Sequence, residues 1–175
     1  MFDAPRVPIL IGAQISNLKL PTAQSWFKKE FLPLRRTDQP SSGRGVAALL
    51  SPRRVLQMAI AARLVELGMR PKAACSAAWH FSDRSNPLEA PGHDRGPGEL
   101  FGGDALTVLC AYRDGTAAVV RADRKTPLEQ VFFPAGSASV AGSRRKEGAI
   151  VLLLDFMVKE VAERFASLIE RGEIE

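Results

Sequence analysis

Cys75 and His80 stand five residues apart, His93 follows in a Pro/Gly-rich stretch, and Cys110 lies beyond it. Zinc takes about four ligands at characteristic spacings. Cys75, His80 and His93 do not form such a set, and Cys75 falls on the apolar side of a helical pattern, where a buried thiol is expected. His93-Asp94 with a serine would make a hydrolytic group only with partners whose geometry the sequence does not specify. The stretch GPGELFGGD is rich in glycine but has no Lys-Ser/Thr after it, so it does not read as a phosphate loop. The expectation is a protein without enzymatic activity, metal or cofactor.

A different chemistry is carried by the first half. Residues 1–80 hold 12 Lys and Arg against 4 Asp and Glu, a net +8, whereas residues 81–175 hold 12 against 15, a net −3. A basic segment joined to a mildly acidic one suggests a module for a polyanion beside one with another task. Thr22, Ser25, Lys28 and Lys29 lie on or near one side of a short helical stretch, with Gln24 at its edge and Ala23, Trp26, Phe27 and Phe31 on the other side. Amide, hydroxyl and ammonium groups on one helix face can reach base edges or phosphate. Trp26 and Trp79 fall on apolar stripes and are expected in the core.

The elements that must hold these residues can be read from pattern. Ile9–Ser16 and Pro21–Phe31 read as two short helices joined around Asn17–Leu20, a helix-turn-helix candidate. Leu34–Leu50, LRRTDQPSSGRGVAALL, reads as a hairpin with a Gly/Ser/Arg tip. A third helix runs from Ser51 to Leu67, with Ser51 at the N-cap, Pro52 in the first turn and Gly68 after the end. It is apolar on two sides, so two partners should bury it. Pro71–Trp79 is a fourth helix. A helix-turn-helix followed by a hairpin is a winged helix. In that arrangement Arg35, Arg36 and Arg44 of the wing face the duplex backbone. Arg53 and Arg54, at the positive N-terminal end of the third helix, add phosphate contacts.

Residues 83–103, dense in Pro, Gly and Asp, read as a linker between residues 1–82 and 104–175. Beyond it, strands are expected at Leu106–Tyr112, Ala117–Arg121, Val131–Phe133 and Ile150–Leu153. Asp114-Gly115 marks the first hairpin turn. Asp155 is expected to cap a closing helix to Glu170. Val158, Val161, Phe165 and Leu168 on that helix form an apolar face, expected to make a homodimer without a coiled coil. The fold class is therefore α+β: a mostly helical winged helix-turn-helix and a small C-terminal α+β unit. The longest apolar run, Ala149–Leu154, is far short of the ~20 residues of a membrane span. The N-terminus lacks a signal-peptide pattern, and two cysteines make no disulfide framework, so a reducing cytoplasm is expected.

Six motifs in order give residues 9–80 a likeness. They are Asn17-Leu18-Lys19 at the turn, Ala23-Gln24-Ser25-Trp26 in the second helix and Phe31-Leu32 after it. Then follow Gly43-Arg44-Gly45 in the wing, the Ser-Pro-Arg-Arg-Val helix start, and Leu64-Val65-Glu66-Leu67-Gly68-Met69. This segment resembles the DNA-binding domain of MerR-type transcriptional regulators, in a short, phage-like form. The resemblance implies double-stranded DNA as partner and covers about 40% of the chain. The second helix lacks the family's Arg, and neither the long dimerising coiled coil nor a metal-sensing cysteine cluster follows. The resemblance therefore implies DNA binding alone. Two other functions stay open: a phage architectural or packaging protein, such as an excisionase or terminase small subunit, and a ligand-binding C-terminal module with secondary DNA binding.

Overall fold

The computed structural model describes residues 5–41, 43, 48–84, 95–123, 125–127 and 149–174. Helices dominate the N-terminal half, and strands followed by a helix make up the C-terminal half, an α+β architecture with two small antiparallel sheets. The chain opens with β1 (Val7–Pro8) and α1 (Ile9–Ile15), then turns into α2 (Leu20–Lys28). Asn17 makes that turn with φ +57°, a left-handed conformation that Asn tolerates better than most residues. Gly12 lies close under Leu50: a Cβ there would stand 3.0 Å from the Leu50 Cδ1. α2 stops in paired bonds, Phe31 N–H to the Trp26 carbonyl at 2.9 Å and Glu30 N–H to that of Phe27 at 3.0 Å. This is the Schellman arrangement, and its left-handed position is filled by Glu30, φ +57°, where glycine is usual.

The chain returns as β2 (Leu49–Leu50), antiparallel to β1 with Val7 opposite Leu50. Gln39 joins from the other side, exchanging both backbone bonds with Leu49 at 2.8 and 2.9 Å. One antiparallel bridge therefore joins the two ends of the expected wing. Ser51 then caps α3 (Pro52–Glu66), and Gly68, φ +94°, closes it before α4 (Pro71–Ser82). α3 is buried along most of its length: α4 packs on it along one side, α1 and the C-terminal helix on others.

In the second half β3 (Leu106–Tyr112) is central, with β4 (Ala117–Ala122) and β5 (Ala149–Leu153) antiparallel on its two sides. The hairpin at Asp114-Gly115 forms as expected, Asp114 Oδ1 accepting the Thr116 N–H at 2.9 Å and Gly115 taking φ +87°. The expected strand at Val131–Phe133 lies outside the described residues. α5 (Leu154–Glu170) follows β5 without a loop. Asp155 lies inside its first turn instead of capping it, and its Oδ2 accepts the Thr107 N–H at 2.7 Å.

The two halves share one core. Leu109, Val119 and Leu152 from the sheet and Val161 and Phe165 from α5 belong to the same apolar cluster as Ile60, Ala74 and Phe81. Gly115 shows how close the contact is: a Cβ there would meet the Ala73 Cα of α4 at 3.0 Å. The end of the expected linker is also structural, because Gly98 N–H bonds the Phe81 carbonyl at 2.8 Å and Phe101 is buried. The proposed dimer face is corrected by the same packing. Val161, Phe165 and Leu168 are buried within the single chain and Val158 packs against them, because α5 closes over α3 and β3. Among the described residues no helix is long and apolar enough to cross a membrane.

Candidate nucleic-acid interface

Helix α2 presents one polar side to solvent. Ala23 and Trp26 are buried and Phe27 is half-buried, which fixes the helix's rotation. Gln24 and Lys28, one turn apart, are then exposed, with Ser25 half-buried between them. Thr22 and Lys29 flank this strip on the far side, half-buried and exposed respectively. The structure thus brings together along α2 and its C-cap the five residues singled out by sequence. The burial of Trp26 agrees with its expected core role.

The basic residues around the wing divide. Arg36 is exposed and Arg53 half-buried. Arg44 lies outside the described residues. Arg35 turns inward over α4: its guanidinium stands 5.5 Å from the Trp79 ring centroid, and its Nε lies 3.4 Å from Asp83 Oδ1. Arg84 covers the same ring at 4.4 Å. Trp79 is therefore a half-buried ring in contact with two guanidinium groups, rather than the core residue its stripe suggested.

Arg54 is a correction. Its side chain is 2% exposed and pairs with Asp38, Nε to Oδ2 at 3.2 Å, so it cannot touch phosphate. The same carboxylate occupies the N-terminal end of α3. Asp38 Oδ1 accepts the Ser51 N–H at 2.9 Å and the Ser51 hydroxyl at 2.8 Å, while Oδ2 also accepts the Arg35 N–H at 2.8 Å. An anion was expected at this helix end, and the chain supplies its own. Beyond the pair, Arg54 donates to Gln57, whose Nε2 donates to the Cys75 carbonyl at 3.1 Å. A continuous buried polar chain therefore runs from the wing base through α3 to α4. One sequence signal points to it: Asp38 is the only acidic residue between Glu30 and Glu66 in an otherwise basic segment.

Both cysteines are buried free thiols. Burial pushes the Cys75 thiol up to about 12, against a smaller opposing pull from Arg54, and pushes Cys110 up to about 11. Both stay protonated and unreactive near neutral pH. His93 lies outside the described residues, and among those described no three His, Cys, Asp or Glu gather as a metal site would need. No protein-family model and no curated protein matches the chain.

Proposed function

We propose that the protein is a sequence-specific DNA-binding regulator of transcription that docks through its winged helix-turn-helix. One observation carries this reading: α2 is packed by its apolar side alone, which leaves Gln24, Lys28 and Lys29 exposed and Ser25 half-buried on the other side. In such an arrangement α2 enters the major groove, where amide, hydroxyl and ammonium groups meet base edges. Arg36, Arg53 and the wing-tip Arg44 neutralise phosphates and set the register. The buried Asp38–Arg54 pair ties the base of the wing to the start of α3.

The test is binding of the full chain to random duplex DNA, followed by selection of a consensus. Log K is expected to fall linearly with log[salt], with a slope near 0.9 for each phosphate contact. Arg36→Ala should weaken binding to all sequences alike, whereas Lys28→Ala should change base preference by roughly 1–3 kcal/mol. A flat salt response, or a Lys28→Ala protein with unchanged affinity and preference, would refute the interface.

A further inference from the structure

A groove of about 480 Å3 runs between the outer edge of β5 and the helix-turn-helix unit. Its apolar walls come from Ala59 and Ala62 of α3, Leu152 of β5, and Met157 and Val161 of α5, and Ser16 and Asn17 of the turn border it. The volume lies within the roughly 300–1,000 Å3 of small-ligand sites. Two features define what would fit. First, among the described residues β5 pairs only with β3. In an edge strand every second residue points its N–H and C=O away from the partner strand, and here three residues of that strand, Val151, Leu152 and Leu153, line the groove. Second, the groove is lined by two cations and two anions, held as the pairs Arg63–Glu66 at 2.8 Å and Arg164–Glu160 at 2.5 Å. The balance disfavours a polyanion. Partly exposed pairs of this kind contribute only ~0–1 kcal/mol each, so they can exchange partners with a ligand.

We propose that this groove binds a short apolar peptide with free termini, extended alongside β5 as an added strand. Backbone bonding to the strand edge supplies affinity, and the apolar walls take its side chains. The ammonium group meets Glu66 or Glu160, and the carboxylate meets Arg63 or Arg164. Occupancy reaches the DNA-binding unit, since Ser16 and Asn17 form part of the wall and Arg164 Nη1 donates to the Ile15 carbonyl at 2.7 Å. This coupling rests on the DNA-binding reading above; the binding site itself does not.

The experiment titrates the full-length 15N-labelled chain with trileucine, without DNA, and with trileucine acetylated and amidated at its ends. Saturable amide shifts are expected at Val151, Leu153 and Asn17, with a dissociation constant below about 1 mM and about tenfold weaker binding of the blocked peptide. Glu66→Arg, checked for an unchanged melting temperature, should weaken the free peptide about fivefold or more and leave the blocked one unaffected. No saturable shift, equal affinity for both peptides, or shifts that follow protein concentration instead of peptide would overturn the site; the last would point to a second copy of the chain. In a second arm, saturating trileucine should change DNA affinity about fivefold or more. DNA binding that ignores the bound peptide would overturn the coupling. Peptide binding by a chain that binds no DNA would uphold the groove and remove the DNA-binding reading instead.

Discussion

Replacing Asp38 separates two roles for the wing-base arginines. Its carboxylate accepts four bonds, from Ser51 N–H, Ser51 Oγ, Arg35 N–H and Arg54 Nε, all within 3.2 Å. The ion pair is sealed, with side chains 2% and 0% exposed. Removing one partner of a buried pair leaves the other charge without compensation and costs about 3–5 kcal/mol. Asp38→Asn keeps the shape but replaces one acceptor with a donor that faces other donors, so it should fall in the same range. For a chain of this size 1 kcal/mol moves the melting temperature by about 2–4 °C, so a drop on the order of 10 °C is expected. Arg54→Leu should be comparably destabilising, because it strands the carboxylate. The double variant Asp38→Asn/Arg54→Leu should lose less than the sum of the singles, with a coupling above about 1 kcal/mol. Thermal melts followed by circular dichroism measure all four proteins. Arg36→Ala, an exposed control, should stay within about 0.5 kcal/mol of the parent while still weakening DNA binding. A melting temperature for Asp38→Asn within ~2 °C of the parent would refute the claim that this network holds the wing.

Phe165→Ala should cost about 3–5 kcal/mol by opening a cavity in the shared core, and light scattering should show the same mass before and after; a folded variant that merely changes its oligomeric state would restore the dimer face. Glu30→Gly should raise stability by about 1 kcal/mol in a melt, since it relieves a left-handed residue bearing a side chain, and any loss of stability would show that Glu30 contributes more than backbone shape. Both thiols are held above their ordinary values, so the folded state retains protons that an unfolded chain would lose. Their contribution is fully present below about pH 9 and declines as pH rises toward 11–12. A disulfide reagent at pH 8 should therefore label Cys75 and Cys110 no faster than the chain unfolds, and rapid labelling of the native protein would contradict their burial.

Local signals were readable wherever a residue's own conformational preference decides the outcome. Ser51-Pro52 starts α3, Gly68 stops it, and Asp114-Gly115 turns the β3–β4 hairpin, each at the place its chemistry dictates. The polar strip of α2 was legible for a similar reason, because Trp26 and Ala23 leave the helix only one way to pack. What failed depended on partners distant in sequence. Arg54 reads as a cation at a helix N-terminus, and only a carboxylate 16 residues earlier draws it inside. The α5 stripe reads as an uncovered face, because periodicity reports that a face is apolar and not which element covers it. Residues 95–103 read as a linker on composition, yet Phe101 is buried and the backbone of Gly98 is bonded to Phe81.

These misreadings share a physical origin that bears on how the protein would work. A chain with two independent cores could move its halves without disturbing either. Here α5 lies against α3 and α1, Arg164 bonds the last carbonyl of α1, and the β3–β4 turn rests on the backbone of α4. The position of the helix-turn-helix is therefore defined partly by the sheet and helix that follow it. On the opposite side, the wing base is held to α3 by a charge pair that is costly to break and cannot be rebuilt from solvent. The two ends of the proposed DNA-binding surface are thus fixed by different means, one by apolar packing and one by buried charge. Packing against partly exposed residues yields to a bound ligand more readily than a sealed ion pair does. An effector would accordingly act at the α1–α5 side, on the turn that precedes α2, and leave the wing where it is.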